Sequence, residues 1–188
     1  MKTLLLPAAA ALALAACSTV PATSPGAPAP VASRVSTASS ATINLASASA
    51  SLVSGRLIAM PMAGGVHLRG EIGGLAPNST HAIHIHENGD CSAADASSAG
   101  GHFNPAATAH GKVGAGPHHG GDMDNIVANS QGVAQVDVHA SGVTLGGGAA
   151  NDVAGRAVVV HAAADDYTSQ PAGNAGARLA CGVIVVTR

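Results

Sequence analysis

The sequence has very few aromatic residues and no concentration of positive charge. Its 188 residues include one Phe, one Tyr and no Trp, yet they include 10 His. Aromatic packing therefore does not explain the abundance of histidine. The formal net charge is −2 and no basic stripe runs along the chain. The sequence accordingly predicts no nucleic-acid partner.

Long hydrophobic runs and helical periodicity are also scarce. The apolar stretch Leu4–Ala16 follows one positive charge, Lys2, and is too short to span a membrane. It is typical of a secretory signal peptide, which we predict at residues 1–16. Outside it, no stretch holds an apolar period of 3.6 residues together with helix caps.

The end of this stretch, Leu14-Ala15-Ala16-Cys17, resembles the bacterial lipobox, in which the cysteine is lipid-modified and becomes the mature N-terminus. A plain signal peptide cleaved after Ala16 is the alternative. Ser18 rather than Asp follows Cys17, which resembles the pattern of outer-membrane sorting. We therefore expect an exported, periplasmic protein that is anchored to the outer membrane through Cys17. More than one acyl chain is needed for stable attachment.

Residues 17–40 form the next segment, which is rich in Pro, Ala, Ser and Thr and carries a single charge, Arg34. Such a composition cannot bury a core and predicts a flexible linker. Residues 41–188 are long enough for one domain. If Cys17 carries the lipid, Cys91 and Cys181 remain as a pair, and an oxidising compartment favours a disulfide between them.

Short apolar runs separated by turn signals predict an all-β domain. The predicted strands are Thr42–Leu45, Leu52–Met60, Val66–Ile72, Thr80–His86, Val133–His139, Ala157–Val160 and Gly182–Val186. The last two are continuous apolar runs, so we expect them to be the most buried. His67 and His139 alternate with inward residues and are predicted to be surface residues without a function. Roughly eight strands with long connections favour an eight-stranded Greek-key β-sandwich or flattened barrel.

Six histidines between positions 84 and 161 have spacings that suit metal binding. They are His84, His86, His102, His110, His119 and His161, and Asp122 follows His119 by three residues. His84 and His86 are two residues apart in a predicted strand, so their side chains share one face. Imidazoles with one carboxylate suit copper or zinc better than hard, oxygen-seeking cations. The sequence therefore predicts two adjacent metal ions.

Two connections are too long to be turns, namely Asn88–Asp124 and Ala162–Leu179. Long loops in a compact domain are usually functional or disordered. The first holds three of the six clustered histidines and the second leads to Arg178. Both are therefore predicted to be functional loops.

Ordered segments of the chain resemble the signatures of copper/zinc superoxide dismutase, in particular its exported bacterial branch. They are His84–Cys91, Gly101–Pro105, His119–Asp122 and Asn174–Gly182. The resemblance extends from about position 41 to the C-terminus. Ala82 and Ile83 stand where the family more often has Gly and Phe, a departure that affects packing and not ligation.

The resemblance implies a ligand set for each metal. Copper would take His84, His86, His102 and His161, and zinc would take His102, His110, His119 and Asp122. His102 would then bridge both ions as an imidazolate. His118 is a neighbouring alternative to His119, but the family spacing requires a histidine three residues before Asp122.

The resemblance also implies roles for residues that are not ligands. Asp165 would link the free nitrogens of His84 and His110, and Arg178 would lie beside the open copper position and attract the substrate anion. His81 would support the metal-binding loop. The family pairs the same two cysteines, Cys91 and Cys181.

The activity that the resemblance implies is dismutation of superoxide to dioxygen and hydrogen peroxide, with one copper and one zinc per chain. Arg178 and the bridging His102 are the expected catalytic residues. A non-enzymatic periplasmic protein that buffers copper or zinc is the alternative, and it would need the histidines but not Arg178. A structural domain with a degenerate site is a second alternative, against which the intact ligand set argues. For the oligomeric state, monomer and homodimer both stay open.

Overall fold

The computed structural model describes residues 35–188. The predicted signal peptide, Cys17 and most of the predicted linker lie outside the described residues. Within residues 35–188 there are nine strands, one short 3₁₀ helix at Ser97–Ala99 and no α-helix. The strands are β1 Ala41–Ser47, β2 Ser54–Met62, β3 Gly65–Gly73, β4 Thr80–His81, β5 Ile83–His86, β6 Ile126–Val127, β7 Ala134–Ser141, β8 Ala157–His161 and β9 Arg178–Val186. The prediction of an all-β domain is confirmed.

Seven strands form one antiparallel sheet in the order β5-β8-β9-β1-β2-β3-β7, and the sheet curves into a nearly closed barrel. The two-residue strands β4 and β6 pair separately. Neighbours such as β5 and β8 are distant in sequence, so long connections must cross the ends of the barrel. The same described residues contain no helix with the length and hydropathy of a membrane span.

The predicted strand Thr80–His86 is two strands. The chain leaves β4, which pairs with β6, and enters β5, which pairs with β8. The break falls at Ala82, whose backbone instead bonds with Ala163 and His161. A period of two residues cannot show this change of partner.

The main core lies inside the barrel and is filled by aliphatic side chains. Its largest fully buried members are Ile43, Leu57, Leu68, Ile72, Ile83, Ile85, Met123, Leu145 and Ile184. Strand β3 alternates as predicted, since His67, Arg69 and Glu71 point away from this core. Alternation therefore determines which residues of each strand are left for the outer face.

Strand β8 is buried along its whole length because both of its faces are covered. Val158 and Val160 join the barrel core, while Ala157 and Val159 join a small second cluster with Cys181 on the outer face. The matching prediction for Gly182–Val186 is wrong at its C-terminal end. Val185 is 57% exposed, since this part of the outer face lies outside the second cluster. Val186 is 43% exposed and is the last residue of the strand.

The described domain begins before the predicted boundary at residue 41. Thr37 and Ala38 donate backbone hydrogen bonds to Leu145, and Ser39 and Ser40 donate to Arg188. Ala38 is buried against the core. Residues 37–40 are predicted to be linker because small and polar residues give no strand pattern, yet their backbone is bonded to the domain.

Candidate metal centre

The strand β5 places two imidazoles on the outer face of the barrel. Ile83 and Ile85 point into the core, so His84 and His86 point the opposite way. The neighbouring antiparallel strand β8 ends in His161, which follows Val160, the partner of Ile83. All three imidazoles are nevertheless buried, because the long connection after β5 folds back over them.

The backbone of Ile85 holds that connection in place. Ile85 accepts a hydrogen bond from the N–H of Phe103 and donates one to the carbonyl of Gly121, and Gly121 donates in turn to Phe103. A side chain at Gly121 would put its Cβ about 2.1 Å from the Ile85 carbonyl oxygen, so only glycine fits there. This close approach brings His102 and the segment His119–Asp122 beside the imidazoles of β5.

The fold thus gathers the clustered histidines into two groups of potential metal ligands. One group is His84, His86, His102 and His161, and the other is His102, His110, His119 and Asp122. Within each group the ligand atoms lie within 4.8 Å of one another, and all the residues are buried. His102 belongs to both groups.

In the second group three imidazoles face one carboxylate oxygen. Asp122 Oδ1 lies 2.9 Å from His102 Nδ1, 3.1 Å from His110 Nδ1 and 3.3 Å from His119 Nδ1. The other oxygen, Oδ2, accepts hydrogen bonds from the backbone N–H groups of His119 and Gly111. Three imidazole nitrogens and one carboxylate oxygen form a closed donor set that suits tetrahedral zinc.

In the first group the ligand nitrogens lie close together, and two of them lack hydrogen-bond partners among the described residues. His86 Nε2 and His161 Nε2 are 3.3 Å apart. His84 Nδ1 and His102 Nε2 are buried and, among the described residues, have no hydrogen-bond partner. Buried polar atoms are normally satisfied, so these nitrogens fit a bound metal ion. Four imidazoles suit copper or zinc.

His102 uses its two ring nitrogens in different groups. Nδ1 lies with Asp122, whereas Nε2 is the buried, unpartnered atom in the first group. One imidazole is therefore positioned to serve two ions, which is possible only when both of its nitrogens are deprotonated.

Burial keeps the imidazoles of the first group neutral. Loss of hydration lowers the pKa of His84 to about 4, that of His86 to about 2 and that of His161 to about 3, and neighbouring imidazoles add to the effect. Neutral imidazole is the form that binds a metal. Burial alone would raise the pKa of Asp122, but hydrogen bonds from His102 and two backbone amides outweigh it and lower the pKa, so the carboxylate is ionised.

Asp165 links the two groups by binding ring nitrogens that point away from the potential metal sites. Its Oδ2 accepts a hydrogen bond of 2.9 Å from His84 Nε2, and its Oδ1 accepts one of 2.9 Å from His110 Nε2. Asn125 fixes the backbone of Asp165 by bonding to both its N–H and its carbonyl. These contacts leave Nδ1 of each histidine free for a metal, the usual role of a carboxylate behind a ligand.

Arg178 opens strand β9, where it is paired with His161. Its Nη1 and Nη2 donate hydrogen bonds of 2.7 Å to the carbonyls of Ala96 and Gly100. The Gly100 carbonyl also accepts a hydrogen bond of 2.9 Å from His86 Nδ1. One peptide group therefore fixes both a half-buried guanidinium and an imidazole of the first group.

A disulfide joins Cys91 to Cys181, as predicted. It ties the loop that carries Ala96 and Gly100 to β9, three residues after Arg178. The disulfide thereby links the loop whose carbonyls accept hydrogen bonds from the guanidinium to the strand that carries Arg178.

The family model described as copper/zinc superoxide dismutase matches residues 53–184. This chain belongs to that family. A copper–zinc superoxide dismutase of Aquifex aeolicus is 46% identical over 123 residues, which span 64% of this chain and 72% of the relative. One of Caulobacter vibrioides is 44% identical over 125 residues, which span 64% and 71%.

Solved structures of similar fold support the same assignment. A double mutant of a SOD-like protein from Bacillus subtilis matches with a TM-score of 0.70 and 32% identity, over 77% of this chain and 96% of that chain. The clock protein EA4 matches with a TM-score of 0.71 and 34% identity, over 82% and 98%. The resemblance to copper/zinc superoxide dismutase is confirmed.

Other residues singled out from the sequence lie around the dismutase-like centre. His118 is half-buried, donates a hydrogen bond of 2.7 Å to the carbonyl of His119, and belongs to neither group of potential ligands. His81 is buried, and its Nδ1 donates to the carbonyl of His161, 2.7 Å away.

Gln170 was not predicted from the sequence, and it holds the backbone of His110 in the second group. Its Oε1 accepts the backbone N–H of His110, and its Nε2 donates to the His110 carbonyl, both at 2.9 Å. No pattern pointed to it, because a single amide in a long loop has no period and its partner is 60 residues away.

Proposed function

We propose that this protein catalyses the dismutation of superoxide to dioxygen and hydrogen peroxide with one copper and one zinc ion. The observation that carries the proposal is the pair of buried ligand groups that share His102, in a chain of the copper/zinc superoxide dismutase family. His84, His86, His102 and His161 would hold copper, and His102, His110, His119 and Asp122 would hold zinc. When bound, copper supplies one-electron redox chemistry and zinc supplies a fixed positive charge.

The protein's own residues position the centre and the substrate. Asp165 orients His84 and His110 so that both present Nδ1 inward. His102 Nε2 is the atom at which a proton for the departing peroxide would be held. The carbonyl of Gly100 accepts hydrogen bonds from both His86 and Arg178 and so fixes their relative positions.

Arg178 is the proposed binding group for the superoxide anion. Two of its N–H groups are used by backbone carbonyls, which fixes the plane of the guanidinium and leaves other N–H donors and the charge for a ligand. A fixed guanidinium binds a small anion by charge and by hydrogen bonds together. The net charge of the chain is negative, so the local charge of Arg178 and the metals must supply the attraction.

We also propose export and attachment to the outer membrane through a lipid on Cys17. The support is the short apolar segment before Leu14-Ala15-Ala16-Cys17 and the Pro- and Ala-rich segment after it. After cleavage of the leader, a lipid on Cys17 and the Pro- and Ala-rich segment after it would hold an enzymatic domain off a membrane surface.

Metal analysis of two variants tests the proposed assignments. His161 occurs in the first group alone, so His161→Ala should lose copper and dismutation activity while zinc is retained. Asp122 occurs in the second group alone, so Asp122→Ala should lose zinc preferentially. Copper and zinc counted per chain by mass spectrometry give the answer, and equal losses of both metals in both variants would rule out separate sites.

A further inference from the structure

A second arrangement of histidines lies on the outer face of the barrel, away from the two ligand groups. His67 of β3 and His139 of β7 are directly opposite each other in the antiparallel register. Opposite residues share a face and have closely spaced Cβ atoms. Their ring centroids are 4.5 Å apart, so the two imidazoles are already side by side.

Asp137 fixes the ring of His67. The Nε2–H of His67 donates a hydrogen bond of 2.6 Å to Asp137 Oδ1, while Arg69 occupies the other carboxylate oxygen at 3.1 Å. The tautomer of His67 that donates from Nε2 has its lone pair on Nδ1. Its side chain is only 19% exposed, so the neighbouring residues restrict its movement.

The same contact occurs at the two groups described above. His84 and His110 each bind a carboxylate oxygen of Asp165 through Nε2, and each presents Nδ1 to a ligand group. A carboxylate behind a ligating histidine fixes its tautomer and raises its basicity. His67 thus has the orientation and the supporting group of a metal ligand.

His139 supplies the second donor. It is exposed, and its ring makes no hydrogen bond within residues 35–188. Met60 lies opposite His67 on the neighbouring strand β2, so the row Met60–His67–His139 crosses three strands on one face. Two imidazole nitrogens, with water completing the coordination, form a site for a transition-metal dication.

We propose that His67 and His139 form an exposed site for one further transition-metal ion, in which Asp137 orients His67. The donors are nitrogens, so Cu²⁺ binds more tightly than Zn²⁺. The sequence predicts no function for either histidine, since nothing in the alternation of either strand shows that they face each other.

The test is a Cu²⁺ titration of the full-length protein after copper and zinc have filled the two central sites. Equilibrium dialysis with metal counting should show one additional Cu²⁺ per chain, and the electron paramagnetic resonance spectrum of that ion should show nitrogen hyperfine coupling. A parallel Zn²⁺ titration should show weaker binding. A replete protein that takes up no additional ion, or one that prefers Zn²⁺, overturns the proposal.

Variants locate the additional ion. His139→Gln and His67→Gln should each abolish it, and Asp137→Asn should weaken it about 10- to 100-fold. Glu71→Gln changes an exposed residue of β3 on the same face and is the matched control, so it should bind as the wild type does. The dismutation rate of His139→Gln should be unchanged. Wild-type uptake of the additional ion by both histidine variants would refute the assignment.

Discussion

At the scale of single residues, the carbonyl of Gly100 links the two halves of the proposed substrate site. It accepts hydrogen bonds from His86 Nδ1 and from Arg178 Nη2. The guanidinium is therefore fixed relative to a proposed copper ligand, and its N–H donors have one orientation. Fixed hydrogen bonds to a charged group contribute more than mobile ones because no ordering is needed when the anion arrives.

Replacing Arg178 tests this role. Arg178→Ala should keep both metals and lose about 1.5 to 3 kcal/mol of anion stabilisation, roughly a tenfold to hundredfold loss of dismutation rate. The rate should also depend less on ionic strength than that of the wild type, because an attractive charge is gone. Arg178→Lys keeps the charge without the fixed N–H donors of the guanidinium and is the control, with an intermediate rate. Full activity in metal-replete Arg178→Ala would favour the metal-buffer alternative or another attracting group.

A separate prediction for a single residue concerns Gln170. Its amide pairs with both backbone groups of His110, so it positions a proposed zinc ligand without touching the ion. Gln170→Ala should weaken zinc binding about 10- to 100-fold and leave copper binding in place. Competition with a chromogenic zinc chelator measures this directly. Unchanged zinc affinity would mean that the loop holds His110 without the amide.

At the scale of elements, the alternation of β3, β5 and β7 was readable from the sequence, because one face of each strand is apolar. The histidines of the two groups of potential metal ligands were predicted from their spacing and from the family resemblance. The break between β4 and β5 was not found, since pairing partners are set by the whole sheet. The exposure of the C-terminal end of β9 was not predicted for a similar reason. An apolar run does not show how far other residues pack over the strand.

The disulfide constrains the loop that packs over β5. Cys91 and Cys181 are 90 residues apart, so the cross-link stabilises the fold by at most about 4 to 5 kcal/mol in the chain-entropy model. Thermal melts with reductant should show a clearly lower Tm than melts without it. A Cys91→Ser/Cys181→Ser variant is the control, because its Tm should not respond to reductant. Identical melts of the wild type under both conditions would contradict the stabilising role.

At the scale of the whole molecule, the proposed leader and the proposed lipid on Cys17 would determine where the enzyme works. Cys17→Ser should release the protein from the membrane fraction while its specific activity stays the same, since Cys17 precedes residues 53–184, which match the family model. Ser18→Ala keeps the acceptor cysteine and should remain in the membrane fraction. Fractionation, together with mass spectrometry of the N-terminus, measures both. Wild-type protein that is found only in the soluble fraction with an unmodified N-terminus would exclude the lipid anchor.

Two metal ions that share His102 are proposed to make this domain a superoxide dismutase. The most direct measurement is the superoxide dismutation rate of one sample when fully loaded, after selective copper removal and after copper is restored, with both metals counted at each stage. The account predicts that the rate falls with the copper content, returns when copper returns, and is not restored by zinc alone. A rate that is absent in the fully loaded protein, or that persists without copper, would contradict it.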